Sequence, residues 1–218
     1  LTVHRDELTA QGIGTDGIYQ IDINQIDPKA YCFALRTWAD NKTDEAVVFG
    51  KQNPQVLPYF LIQDKDGRIL TYRRKGKEEG LLGKYSIGVG GHIDLTDADP
   101  DYDLSTTVGT AEDAVIVHDG VIQDIIQTGL VRELSEEVGI IISQKVEFDF
   151  AISTYIDKTS QVHFALVATI GIDKPEELKY DPAEFNAVEW LTAEELKARS
   201  EVDTFEPWSQ LIVDYMND

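Results

Sequence analysis

One stretch, from Gln123 to Gly139, dictates a helix and both of its working faces. Leu130, Val131, Leu134 and Val138 recur at the three-and-four spacing of a single helical arc. Gly139 stands where a helix C-terminus belongs. Beside the apolar arc lie Glu133, Glu136 and Glu137, which span about 100° at roughly 100° per residue. A helix built this way packs one side on a sheet and turns three carboxylates toward a cleft. The chain already holds 40 acidic against 19 basic side chains, a net charge of −21. Three of these negative charges this close together repel one another and raise one another's pKa. A hard divalent cation relieves that repulsion, and Mg²⁺ and Mn²⁺ prefer oxygen ligands.

The segments around this helix alternate between strand and helix patterns. AYCFALRTWAD (30–40) has helical apolar spacing after the helix-start signal Asp27-Pro28, and AVVFG (46–50) reads as a strand. QVLPYFLIQD (55–64) is a strand with Pro58 marking a bulge or an edge, and ILTYRRKG (69–76) returns from the turn DKDGR as its hairpin partner. KYSIGVGGHID (84–94) is a short strand that dissolves into glycines. Residues 94–124 then hold nine Asp or Glu and no Lys or Arg, a solvated loop with a small hairpin, AVIVHDGVI, turning at Asp119-Gly120. After the helix come the strands 145–156, 161–171 and 185–191. Thr192 with Glu195 forms a capping box for a helix over 192–200, and 207–216 forms a last helix. This order predicts an α/β (α+β) fold, a mixed β-sheet between helices.

Composition narrows the function. A surface of net charge −21 repels nucleic acid backbones and anionic membranes, so neither is an expected partner. The one cysteine, Cys32, makes neither an internal disulfide nor a structural zinc cluster. No apolar run reaches the ~18 residues of a membrane span, and the N-terminus lacks the apolar core of a signal peptide, so a soluble cytoplasmic protein is expected. The chain opens on Leu1, as a chain trimmed of its methionine does. Against this acidity, Arg73, Arg74, Lys75, Lys77 and Lys84 place five of the 19 basic residues in one short stretch before the glycines. That local inversion of charge suits a phosphate-bearing ligand, with Arg73 and Arg74 as the binding residues. His92 and His118 read as loop residues.

Residues 132–140 read Arg-Glu-Leu-Ser-Glu-Glu-Val-Gly-Ile. They resemble the second half of the Nudix box, with every defined position present from Arg132 to Ile140. The first half departs from the family's pattern. Counting back, the box glutamate falls on Asp124 and the box glycine on His118. The fitting glycine is Gly91 in VGGHID, 27 residues earlier. The acidic segment, at about 95–123, is therefore an insertion inside the box. A Nudix subgroup with a GGHI entry, and an IPY-like strand similar to LPY at 57–59, carries such insertions.

The resemblance implies a Nudix-like α/β/α sandwich over residues 54–218. Residues 1–53 would be an extension or small subdomain, a lid, or the contact of a homodimer. It implies a metal-dependent pyrophosphohydrolase that cleaves a nucleoside diphosphate linked to another moiety. Glu133, Glu136 and Glu137 would hold Mg²⁺ or Mn²⁺, with the backbone carbonyl of Gly90 completing the metal site. Glu136 is the first choice for the catalytic base, and Glu184 the second. Glu133 serves the catalytic site through the metal, and Arg132 holds a glutamate in place, with Glu136 or Asp124 as its contact. The substrate would be a nucleotide-like small molecule. A competing reading is a catalytically silent domain that senses a nucleotide, although such domains usually lose box glutamates. Isopentenyl diphosphate isomerase shares the fold but needs a catalytic cysteine setting that Cys32, in AYCFAL, does not provide.

Overall fold

The computed structural model describes residues 1–34, 43–75, 80–98, 115–116 and 122–218. Its strands are β1 (Thr2–Val3), β2 (Asp16–Tyr19), β3 (Tyr31–Phe33), β4 (Gln55–Asp64), β5 (Ile69–Arg74), β6 (Tyr85–Ser86), β7 (Gly88–Val89), β8 (Val115–Ile116), β9 (Phe150–Thr154), β10 (His163–Ile172) and β11 (Phe185–Leu191). Its helices are α1 (Arg5–Ala10), α2 (Asp44–Gln52), α3 (Ile122–Val138), α4 (Ala193–Ser200) and α5 (Pro207–Asn217). The class is α/β with a mixed sheet, as the order of hairpins and helices predicts. No helix among the described residues is long and apolar enough to cross a membrane. The chain divides into two compact units.

The first unit comprises Leu1–Pro58, Gly91–Leu130 and Lys145–Leu166. Strand β1 pairs antiparallel with β3, Thr2 opposite Cys32, and with the start of β4, Thr2 opposite Gln55. Strand β3 continues the ladder to β8, and β2 pairs with β9 from Asp16–Thr154 to Tyr19–Ala151. The core holds Val3, Leu8, Ile13, Tyr31, Val56 and Phe164, sealed by Ile122, Ile125 and Ile126 from the first turns of α3. Those three isoleucines sit at i, i+3 and i+4, so one helical face carries them all.

The second unit comprises Tyr59–Gly90, Val131–Gln144 and Val167–Asp218. Here β4 pairs with β7, Leu61 opposite Gly88, and with β5, Gln63 opposite Ile69. The β4–β5 turn is closed by the buried Asp64, whose carboxylate accepts the backbone N–H groups of Asp66 and Arg68 at 2.9 Å each. Strand β5 also pairs with β6 and with β11. The β5–β11 register slips between Asn186 and Glu189, where Ala187 takes the left-handed conformation at φ 48°. Thr192 caps α4 through the predicted capping box, and Leu134 and Val138 of α3 are fully buried. Each such aliphatic burial contributes roughly 1.5–3 kcal/mol.

Several local expectations are corrected, and one falls outside the described residues. Residues 44–52 are helical rather than extended, because Thr43 caps the amide of Ala46 and Asp44 and Glu45 complement the helix dipole in the first turn. These end effects outweigh the strand preference of Val47 and Val48. The helix-start signal Asp27-Pro28 runs for only one 3-10 turn, after which Tyr31–Phe33 is strand, with both aromatics buried; positions 35–42 lie outside the described residues. Within 145–156 only Phe150–Thr154 is strand. The turn expected at Asp119-Gly120 lies outside the described residues, as does most of 95–123, while Val115–Ile116 pairs with β3 and Ile122 already opens α3. Strand β4 runs unbroken through Pro58.

Candidate active site

The site is built in the second unit from the last two turns of α3. On a helix, Glu133 and Glu137 are one turn apart and share a face, while Glu136 is displaced toward solvent. The burial follows this geometry: the Glu133 side chain is 13% exposed and that of Glu136 is 62% exposed. Arg132 bridges the two, donating to Glu133 Oε1 at 2.8 Å and to Glu136 Oε2 at 3.3 Å. Glu136 is one of the two contacts the sequence named for Arg132, and Glu133 is a further one. Asp124 lies exposed in the first turn of α3 and belongs to the other unit.

Glu137 is the most perturbed carboxyl of the site. Burial pushes its pKa from an ordinary 4.5 up to about 8; the negative charges of Glu133 and Glu184 add to the rise, and Arg74 and the backbone amide of Gly90 oppose it. Gly90 therefore meets Glu137 with its N–H. Three separate segments deliver these groups: the end of β7, the end of β5 and the loop before β11. Two main-chain hydrogen bonds tie that loop to the helix. The amide of Lys179 donates to the Val138 carbonyl at 3.0 Å, and the amide of Asp181 to the Glu137 carbonyl at 2.9 Å. These bonds satisfy carbonyls that a helix end leaves open. Gly139, at φ 71°, makes the turn that lets the loop approach. A Cβ at that position would sit 3.2 Å from Lys179 Cβ.

The two arginines of β5 part company because strand side chains alternate faces. Arg74 acts on Glu137. Arg73 lies 4.9 Å over the Tyr85 ring and pairs with Asp203 at 3.3 Å. Lys75 donates to the Pro182 carbonyl at 2.9 Å, and Lys77 lies outside the described residues. The structure thus brings together Glu133, Glu137, Arg74, Gly90 and Glu184, and turns Arg73 to a different cluster. In that cluster Arg199 donates to Glu189 at 2.7 and 3.0 Å and to the Tyr85 hydroxyl at 2.8 Å. Sequence reading missed Tyr85, Glu189 and Arg199, whose separations match no helix or strand period.

The donors fit a divalent cation in chemistry. Two carboxylates share one helical face, and burial of Glu137 first, with the charges of Glu133 and Glu184 adding to it, raises the Glu137 pKa. Among the described residues no three His, Cys, Asp or Glu side chains already converge as a metal cluster. The ion pair from Arg132 to Glu136 gives a physical reason, since it holds the third box glutamate toward solvent.

Comparisons with known proteins bear on the family and the fold. Residues 118–212 match the family model of the NUDIX domain, a match that opens within the acidic segment. The chain is 23% identical over 167 residues to Protein YmaB of Bacillus subtilis (strain 168), covering 74% of this chain and 70% of that protein. The crystal structure of Tm1382, which carries a provisional Nudix hydrolase designation, superposes with a TM-score of 0.65 at 22% identity, over 99% of this chain and 96% of that one. DR0079 from Deinococcus radiodurans superposes with a TM-score of 0.50 at 15% identity, over 74% of this chain and 82% of that one. The two structural likenesses are likenesses of fold.

Proposed function

We propose that this chain, whose residues 118–212 match the NUDIX domain model, is a Nudix-type hydrolase of phosphoric anhydride bonds and, more finely, a metal-dependent pyrophosphohydrolase of nucleoside diphosphate derivatives. The observation that carries the reading is the buried Glu137 carboxyl, pressed by the charges of Glu133 and Glu184 and met by the Gly90 amide. A structural carboxylate is normally paired with a cation; burial instead disfavours the ionised form of this one, and a bound cation would restore it. We assign the hydrolase domain to 54–218, with 95–123 as its insertion.

Glu133 and Glu137 would hold Mg²⁺ or Mn²⁺, with Glu136 and the backbone carbonyl of Gly90, whose amide meets Glu137, completing the set. When bound, the ion supplies positive charge opposite the phosphate oxygens. The chain's own residues do the rest. Arg74 reaches the same spot from β5 and can take a phosphate oxygen. In the reaction a water oxygen bonds to phosphorus, the bridging P–O bond breaks, and the bridging oxygen leaves with its electron pair. The proton from water goes to a carboxylate. Glu184 is the better placed of the two candidates, because its charge is felt at Glu137, whereas Glu136 is exposed and held by Arg132. A general base of this kind contributes about 10²–10⁴-fold.

A panel of nucleoside diphosphate derivatives, assayed with Mg²⁺ and with Mn²⁺, tests the reading. We expect metal-dependent release of a nucleoside monophosphate, near-complete loss in Glu137→Gln, and a fall of about 10²–10⁴ in kcat for Glu184→Gln. Undiminished turnover by Glu137→Gln would remove the carboxylate site from the reaction. Full activity in Glu184→Gln with loss in Glu136→Gln would move the base to Glu136.

A further inference from the structure

Resting on the cation-site reading above, we propose that Tyr72 is a positioning residue that ties together the two arms delivering Gly90 and Glu184 to Glu137. Tyr72 is 1% exposed, in the middle of β5. Its hydroxyl donates to the carbonyl of Gly88 at 2.8 Å, two residues before the amide that meets Glu137. Its ring stacks on Phe185, centroids 4.1 Å apart, and Phe185 directly follows Glu184. One side chain therefore touches both segments, by a hydrogen bond on one and by ring contact on the other.

Gly88 is held from other directions as well. Ser86 Oγ donates to the same carbonyl at 3.1 Å. The Tyr59 ring lies so close that a Cβ on Gly88 would fall 1.9 Å from it. The Tyr59 hydroxyl bonds to Ser209 at 2.8 Å and to Glu206, both at the start of α5, and Ser209 Oγ accepts the amide of Ile87 at 2.9 Å. Within this frame the Tyr72 bond is the one that comes from the strand bearing Arg74. It fixes Gly88 against the same strand that places the site's cation. Partners in the shell behind metal ligands typically change metal affinity by 10–100-fold when lost.

The test is Mn²⁺ binding to the purified, metal-free full chain, read as the free-ion signal in electron paramagnetic resonance, with no substrate present. Tyr72→Phe keeps the ring on Phe185 and removes only the donor. Its Mn²⁺ Kd is expected to rise about tenfold. At saturating Mn²⁺, kcat should return toward the wild-type value with KM unchanged. Thr192→Ala, which removes a helix cap and lowers stability, should bind within twofold of wild type. Should Tyr72→Phe not fold, Phe185→Leu tests the tie from its other end, with an expected loss of at least about threefold on the same reasoning. Wild-type affinity in Tyr72→Phe or, where that variant does not fold, in Phe185→Leu overturns the proposal, and so does an equal loss in Thr192→Ala. A wild-type chain that binds no Mn²⁺ at all overturns the cation site itself, and the role of Tyr72 with it.

Discussion

Replacing Glu137 with Gln should stabilise the metal-free protein, and only at high pH. The carboxyl has a pKa near 4.5 when exposed and about 8 when folded. Below 4.5 it is neutral in both states, and Glu and Gln are equivalent. Between 4.5 and 8 the unfolded chain releases its proton while the folded chain keeps it, so folded stability falls by about 1.4 kcal/mol per pH unit. Above 8 both states are ionised and the loss is constant. Over this window the accumulated loss is about 4–5 kcal/mol, from the per-unit value and the shift. The carboxamide of the variant would keep an acceptor for the Gly90 amide and carry no charge to desolvate. Paired thermal melts of wild type and Glu137→Gln in a chelator, at pH 5 and pH 9, read the difference. We expect melting temperatures within about 2–3 °C of each other at pH 5 and an advantage of roughly 10 °C for the variant at pH 9, at about 2–4 °C per kcal/mol for a chain of this size. Other titrating groups cancel in the comparison. A variant no more stable than wild type at pH 9 would refute the reasoning that the site is charge-frustrated without its ion.

Two backbone predictions follow from the second unit. Ala187 occupies the left-handed region inside β11, which costs an L-residue with a side chain about 1–2 kcal/mol, so Ala187→Gly should raise the melting temperature by about 2–4 °C. An unchanged or lower temperature would show that the bulge is not strained. Gly88→Ala should destabilise by at least about 3 kcal/mol, because its Cβ would have to displace the buried Tyr59 ring; denaturant melts would show it as a lower midpoint.

The sequence made the carboxylate helix legible because helical period, Gly139 and the box spacing agree over one continuous stretch. The capping box at Thr192, the strand Phe185–Leu191 and the last helix were legible for the same reason: each is decided by neighbours within a turn or two. Expectations failed where a local signal was short. At AVVFG a side-chain cap overrode β-branched preference, and at Asp27-Pro28 a real start signal lacked a helix to follow it. The divergent roles of Arg73 and Arg74 follow from strand alternation once β5 is known, yet adjacency in sequence suggested a common patch. Tyr72 and the Tyr85–Arg199 cluster were invisible. They depend on contacts between segments whose separation carries no periodic trace.

The loop before β11 has a consequence for divergence among relatives. Its attachment to α3 uses the amides of Lys179 and Asp181. Main-chain bonds are indifferent to side-chain identity, so Lys179 can vary, while Tyr180 against Phe185 and the Asp181 carboxylate on the amide of Ala183 keep the carboxylate at 184 in register. A lineage could retune which leaving group this rim admits, one substitution at a time, without rebuilding the reaction centre beneath it.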